Sequence, residues 1–320
     1  MKTVGITGPP SSGKSTVLRA LGAAEGADIV AVPVPDERLD ELAELHSAKK
    51  KVNAQVQFLD VHSAAKTQAA AMARLREVDA LLVMLPGFAG GDLSQIKANL
   101  LDDFLLADLA PFETRVARAR KDPAAKNEVP SLEKAMAELE AGRMLSETHW
   151  EAHELKVISA LAPITMRPIV YVANVDETAV DAGSELEGVS FTVNAPLELE
   201  VAGMSSADAA ELLAAYGVGE PLVGKIVSSV YGTLDLITFF TAGDKETKAW
   251  QARRGATAPE AAGVIHSDMQ RGFIRAEVIA FDELVKIGDW DAARGKGSIR
   301  VEGKEYVFQE GDVTHFRFSV

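Results

Sequence analysis

The segment Gly8-Pro9-Pro10-Ser11-Ser12-Gly13-Lys14-Ser15 fits the spacing G-x-x-x-x-G-K-[ST], and its residue types suit the binding of phosphate. Gly8 and Gly13 permit backbone conformations and close approaches that a Cβ would obstruct. Successive N–H groups of the loop, past Ser11 and Ser12 to Thr16 in the first turn of the next helix, can then cradle phosphate oxygens. The Lys14 ammonium would reach the β- and γ-phosphates of a nucleotide, and the Ser15 hydroxyl would ligate Mg²⁺. Asp60, at the end of an alternating run, is the natural second group on the metal side, holding Mg²⁺ through water. Lys14 and Asp60 are the candidate catalytic residues. His62 could position water or contact phosphate, but a surface histidine is the expectation there.

Each of these groups needs an element to hold it. Thr3 to Thr7 reads as a strand ahead of the loop, and Thr16 to Leu21 as the helix behind it. Asp28 to Pro35 is extended, and Asp36 reads as the N-cap of an amphipathic helix from Glu37 to Leu45. Lys49-Lys50-Lys51 reads as a solvated turn, and Val52 to Leu59 alternates as one strand that delivers Asp60. An Ala-rich helix is expected from about Ala64 to Glu77, and Ala80 to Leu85 is a continuous apolar run typical of a buried parallel strand. From Leu93 to about Leu161 the pattern is helical, broken between Pro123 and Pro130. An Arg-rich first arm and an acidic second arm suit an antiparallel hairpin. His149 and His153 stand at helical spacing for a shared metal, but no third ligand accompanies them, so solvated histidines are expected.

Arg167 to Asn174 returns to an apolar strand, and Val189 to Val193 forms another before Asn194-Ala195-Pro196. Strands alternating with helices predict a doubly wound α/β sheet, whose ligands bind at the carboxyl ends of the strands. The phosphate loop, Asp60, Asn174–Glu177 and Asn194–Pro196 all fall there, which points to one shared site. Ser205 to Val230 is helical, and from about Leu234 short strands and turns form a separate α+β module. Strands are expected at 237–241, 275–279, 298–301, 305–308 and 315–318, with Glu302-Gly303-Lys304 and Glu310-Gly311-Asp312 as turns.

The 320 residues carry a formal net charge of −14 and no cysteine, which excludes disulfides and thiolate metal sites and argues against a general polyanion-coating surface. No DNA partner is expected. No apolar run approaches the roughly 20 residues of a membrane span, and because the amino terminus enters a strand directly, no signal peptide is expected. A cytoplasmic protein without membrane contact is the expectation.

Taken together, these motifs resemble the Obg-like ATPase family, the YchF group of phosphate-loop GTPase-related proteins. The resemblance is densest in Phe239-Phe240-Thr241-Ala242-Gly243-Asp244-Lys245-Glu246, in Ala258 to Asp268, in Arg271 to Glu277 and in Glu302 to Tyr306. Pro35 to Leu39 and Tyr171 to Glu177 extend it over most of the chain. It implies an α/β G-domain (1–107 and 163–233), an inserted helical hairpin (108–162) and a C-terminal β-grasp module of the TGS type (234–320). It implies ATP or GTP as ligand with Mg²⁺, and a ribosome, RNA or protein contact through the TGS-like module. That module holds 12 Lys and Arg against 14 Asp and Glu, so broad phosphate binding is not expected of it. In that family an N-x-x-E segment replaces the N-K-x-D of GTPases, which implies a frequent preference for ATP over GTP; here Asn174, Val175 and Glu177 fall on it, and Asn194, Ala195 and Pro196 fall on the last base-contacting loop. An Asp in N-K-x-D accepts two hydrogen bonds that guanine offers and adenine does not, so its loss removes guanine discrimination.

The chain also departs from the pattern. Gly22 to Val34 is too short for the family's first switch and contains no Thr. The second switch, D-x-x-G in the family, reads Asp60-Val61-His62-Ser63, and the histidine expected after the next strand has no counterpart. A slow Mg²⁺-dependent NTPase is one expectation, and a nucleotide-binding adaptor that does not hydrolyse is the other.

Overall fold

A computed structural model describes residues 1–63, 65, 67–176, 188–217 and 221–319. In chain order it runs β1 (Lys2–Thr7), α1 (Lys14–Ala20), β2 (Ile29–Pro33), α2 (Glu37–Leu45), β3 (Lys51–Val52), β4 (Gln55–Asp60), α3 (Gln68–Leu75) and β5 (Ala80–Pro86). Then come α4 (Leu93–Ala119), α5 (Val129–Glu140), α6 (Ala152–Ser159), β6 (Ile169–Asn174), β7 (Val189–Val193), α7 (Ala195–Val201), α8 (Ser206–Ala215) and α9 (Leu222–Thr233). The chain ends with β8 (Leu236–Thr241), β9 (Thr247–Arg253), α10 (Ala258–Ile265), α11 (Ser267–Arg271), β10 (Phe273–Ala280), α12 (Phe281–Ile287), α13 (Trp290–Gly295), β11 (Arg300–Glu302) and β12 (Asp312–Phe318).

The strands form two sheets, ordered β2-β4-β1-β5-β6-β7 and β11-β10-β12-β8-β9-β3. In the first, β1 pairs β5, β5 pairs β6 and β6 pairs β7, all in parallel. β1 lies between β4 and β5; the chain leaves β1 toward the β2 edge, whereas β4 connects across β1 to β5 on the other side, so the loop after β1 opens where the connections diverge, the usual ligand position in such a sheet. Every residue of β5 is buried, which explains its unbroken apolar run.

Contacts divide the chain into two compact units, Lys2–Ala31 with Gln57–Ser229, and Val32–Val56 with Val230–Val320. In the first, Leu81, Val83, Leu85 and Phe104 share a core with Val61, Leu75 and Val175. A second core joins Phe112 and Val116 of α4 to Leu132, Ala135 and Leu139 of α5. Ion pairs Arg115–Glu128 and Arg120–Glu133 link the basic arm to the acidic one, as their composition suggested. Pro130 sits in the first turn of α5, where its missing N–H has no partner to lose.

Three expectations are corrected here. Val52 to Leu59 is two strands: Lys51 and Val52 pair in parallel with β9 in the second sheet, and β4 belongs to the first. The Ala-rich helix starts at Gln68, because the Thr67 side chain accepts from the Ala70 N–H and caps it. Glu302-Gly303-Lys304 does not join a hairpin. Arg300–Glu302 pairs antiparallel with β10, and 305–308 forms only a bridge between Val307 and Thr257. Phe308 is fully buried against Phe239 and Phe316, so side-chain packing, not a strand ladder, fixes that segment. β9 also escaped the sequence reading; its mixed polar and apolar residues run antiparallel to β8.

Candidate functional site

The phosphate loop departs from β1 at Gly8, whose φ is 139° and whose Cβ would lie 2.2 Å from the Met84 carbonyl oxygen of β5. Only glycine permits that approach. Ser11 holds a φ of 60°, and Gly13 a φ of 96° at the N-cap of α1. A Cβ on Gly13 would lie 2.3 Å from the Asn174 side-chain nitrogen. The loop is thus pressed between β5 and the end of β6.

Lys14 Nζ donates to the carbonyls of Gly8 and Pro9, at 3.1 and 2.6 Å. This arches the side chain over the loop. Burial lowers its pKa, and the nearby Asp60 carboxylate partly offsets this. Ser15 Oγ donates to Asp60 Oδ2 at 2.9 Å, so the two expected metal-side groups are already in contact across α1 and β4. Asp60 is 1% exposed, and its Oδ1 accepts from the His62 and Ser63 N–H groups at 3.1 and 3.2 Å. The Ser12 hydroxyl is fully buried in the loop and has no hydrogen-bond partner among the described residues. An unpartnered buried hydroxyl in a glycine-bounded loop at a helix N-terminus fits an anionic ligand.

The other wall comes from the far side of the sheet. Asn174, 3% exposed, donates from Nδ2 to the Ser12 carbonyl at 3.1 Å and accepts at Oδ1 from the Ala195 N–H at 3.0 Å. One side chain therefore ties together the phosphate loop, the end of β6 and the turn after β7. Asn194 caps α7 by accepting from the Leu197 N–H at 3.1 Å, and Pro196 sits in the first turn of that helix. Together they frame a cavity of about 560 Å³. Ser11, Gly13 and Thr16 line one side, Asn174, Val175 and Asp176 a second, and Asn194 and Pro196 a third. Phe88, 41% exposed, also lines it. A cavity of this size beside a phosphate loop, with an aromatic face and a few fixed polar groups, suits a nucleobase and its sugar.

The structure thus gathers Gly8, Ser11, Ser12, Gly13, Lys14, Ser15, Thr16, Asp60, Asn174, Val175, Asn194, Ala195 and Pro196 into one region. Glu177 lies outside the described residues. Phe88 and Asp176 were missed as lining residues; Phe88 directly follows Gly87 at the carboxyl end of β5, the same strand-end signal that located the others. His62 is not the free surface residue expected. It is half-buried, with Nε2 2.9 Å from Thr7 Oγ1, and burial followed by the Lys14 charge lowers its pKa. His149 is solvated, and no cluster of three or more metal-ligating side chains occurs among the described residues.

Residues 236–319 match the family YchF-GTPase_C, described as "Protein of unknown function (DUF933)". The chain is 33% identical over 363 aligned positions to the "Ribosome-binding ATPase YchF" of Bacillus subtilis (strain 168), covering 99% of each. It is 35% identical over 358 positions to the protein of the same name from Haemophilus influenzae, again covering 99% of each. The solved "Structure of the Schizosaccharomyces pombe YchF GTPase" superposes with a TM-score of 0.85 at 26% identity, over 99% of this chain and 97% of that one. An alignment of 363 positions on a chain of 320 residues means that the relative carries internal stretches absent here. Full-length similarity of this order, on a chain whose own loop is shaped to grip phosphate, makes it a member of the YchF (Obg-like ATPase) family of nucleotide-binding ATPases and GTPases.

Proposed function

We propose that this chain is a cytoplasmic NTPase that binds ATP in preference to GTP, turns it over slowly, and contacts the ribosome through residues 234–320. The observation that carries the reading is the Asn174 bridge, which locks the phosphate loop to the wall of the base-sized cavity. Loop N–H groups and Lys14 would hold the β- and γ-phosphates, and Lys14 would offset charge as the terminal phosphoryl leaves. Ser15 and Asp60 would hold Mg²⁺, which when bound supplies charge neutralisation between the β- and γ-phosphates. The base would rest beside Phe88, with its edge toward Val175 and Asp176. The N-x-x-E spacing of Asn174 and Glu177 supports adenine. The ribosome contact rests on the printed names of the relatives.

In this reading 1–107 and 163–233 form the nucleotide domain, 108–162 the inserted hairpin and 234–320 the TGS-like module. A second reading, a nucleotide-binding adaptor without turnover, is favoured by one observation: the N–H groups of His62 and Ser63 are turned back onto Asp60.

Calorimetric titration with ATP, GTP, ADP and GDP, each with Mg²⁺, tests the core of the proposal. Tighter adenine than guanine binding is expected, and absence of all nucleotide binding sinks it. Turnover measured against a Lys14→Ala control separates enzyme from adaptor. Co-sedimentation with ribosomes at low salt, with and without 234–320, tests the contact.

A further inference from the structure

The turn that follows β4 has few hydrogen-bond donors left to offer a ligand. The Val61 N–H is committed to the Ile6 carbonyl at 3.3 Å, and the His62 and Ser63 N–H groups both go to Asp60 Oδ1. The Ser63 hydroxyl donates to the Asp60 carbonyl at 3.2 Å. Within 61–63, every backbone N–H and the serine hydroxyl are spent internally. The His62 ring is the remaining donor.

Its tautomer follows from Thr7. That residue is 1% exposed, and its hydroxyl has a single partner among the described residues, His62 Nε2 at 2.9 Å. If Nε2–H donated to Thr7, the threonine proton would be buried without an acceptor, which is unfavourable. The favoured arrangement has Thr7 donating to Nε2, which places the ring proton on Nδ1. Nδ1 makes no hydrogen bond to any described residue. Thr7 immediately precedes Gly8, and His62 lies two residues beyond Asp60, so the ring is pinned where the phosphate loop and the metal-side carboxylate meet. Among the described residues, the charges that act on it are those of Lys14 and Asp60.

We infer that His62, oriented by Thr7, is the group with which this chain recognises the terminal phosphate, its Nδ1–H donating to the γ-phosphate of a bound nucleoside triphosphate. This rests on the phosphate-loop reading above and assigns a residue to one end of that site. A diphosphate does not extend to this end, so the contact discriminates triphosphate from diphosphate without adding to binding of the base, sugar or first two phosphates.

The test is calorimetry with a non-hydrolysable ATP analogue and with ADP, both with Mg²⁺, on the full chain and on His62→Ala, His62→Asn and Thr7→Val. Loss of a charge-assisted hydrogen bond is expected to weaken analogue binding by about tenfold or more in His62→Ala, with ADP binding changed by less than about twofold. His62→Asn, which keeps an amide donor near the Nδ1 position, should recover part of the loss. Thr7→Val, which keeps shape and removes the hydroxyl, should weaken the analogue while sparing ADP, and remains informative if His62→Ala folds poorly. In nitrogen-15 spectra of the ligand-free protein, the resonance lost in His62→Ala should report a protonated Nδ1 and a bare Nε2. An unchanged analogue-to-ADP ratio in both His62→Ala and Thr7→Val overturns the assignment while leaving the site itself standing. A protonated Nε2 overturns the tautomer and with it the donor. If the unaltered chain binds neither nucleotide, both this inference and the site reading fail.

Discussion

Asn174 reaches across 162 positions of sequence to donate to the Ser12 carbonyl, and the same side chain accepts from the Ala195 N–H. Both bonds are buried, so the order of the phosphate loop and that of the β7–α7 turn depend on one amide. The adjacent Gly13 leaves room for it.

Asn174→Ala strands the Ala195 N–H and the Ser12 carbonyl, and should lower stability by about 2 kcal/mol. Nucleotide affinity should fall with it, because the loop loses its far anchor. Gly13→Ala should mimic this effect from the other side, since its Cβ would meet the Asn174 nitrogen at 2.3 Å while φ is held at 96°. Denaturant melts together with nucleotide titrations would show whether the two losses occur together. A variant that keeps full affinity would mean that the loop holds its shape alone.

Asp108 is a fully buried carboxylate in α4. It accepts from the Ile164 N–H at 3.1 Å, the Thr165 N–H at 2.8 Å and the Thr165 hydroxyl at 2.7 Å, and pairs with Arg76 at 2.6 Å. This cluster fastens α4 to the segment that leads into β6. Asp108→Ala leaves the Arg76 charge without its carboxylate partner and three donors without their acceptor, and should cost about 3–5 kcal/mol, read as a lowered denaturation midpoint. Replacing Arg76 by Met in the same background should add little further loss. Additive losses would show that the two side chains act separately.

Glu198 supplies a pH signature. It is 6% exposed and its Oε2 accepts from the Leu222 N–H at 2.9 Å. Burial raises its pKa, partly offset by that bond and by Lys225. The folded state therefore holds this proton more tightly than the unfolded chain does. Its contribution is full below the ordinary carboxylate range and is lost as pH rises through the raised value. Glu198→Gln should flatten stability against pH in that window, above the usual glutamate range. Unfolding curves at a series of pH values would reveal it, and matching slopes in the two proteins would rule out the assignment.

Arg38, in the unit formed by 32–56 with 230–320, forks onto Asp36 at 2.9 and 2.7 Å and reaches Glu310 at 2.6 Å. Its guanidinium also lies 5.2 Å from the centre of the Phe240 ring, and Glu310 accepts in turn from the Thr238 N–H at 2.9 Å. Arg38→Lys keeps the charge but loses the fork and the planar stacking, so it should behave more like Arg38→Ala than like the unaltered chain. A loss of about 1 kcal/mol is expected for either, given partial exposure of the pair. Limited proteolysis within 32–56 would report the loosening directly.

The sequence by itself determined what local chemistry can encode. Gly8, Gly13, Lys14 and Ser15 declare a phosphate loop because only those types at that spacing satisfy the backbone and the anion. The apolar run of β5 declares a buried strand, and Asp60 and Asn174 declare themselves as polar residues ending apolar strands. Tertiary structure decided the rest, through contacts made by residues far apart in the chain. Val52 to Leu59 alternates like one strand, but pairing partners in two different sheets cut it in two. Glu305 to Phe308 alternates as well, yet the burial of Phe308 replaces a ladder with packing. His62 looked like a surface residue because nothing adjacent to it in sequence gives it a role. Its partner, Thr7, is 55 positions away, on a neighbouring strand that only the folded sheet brings within 2.9 Å.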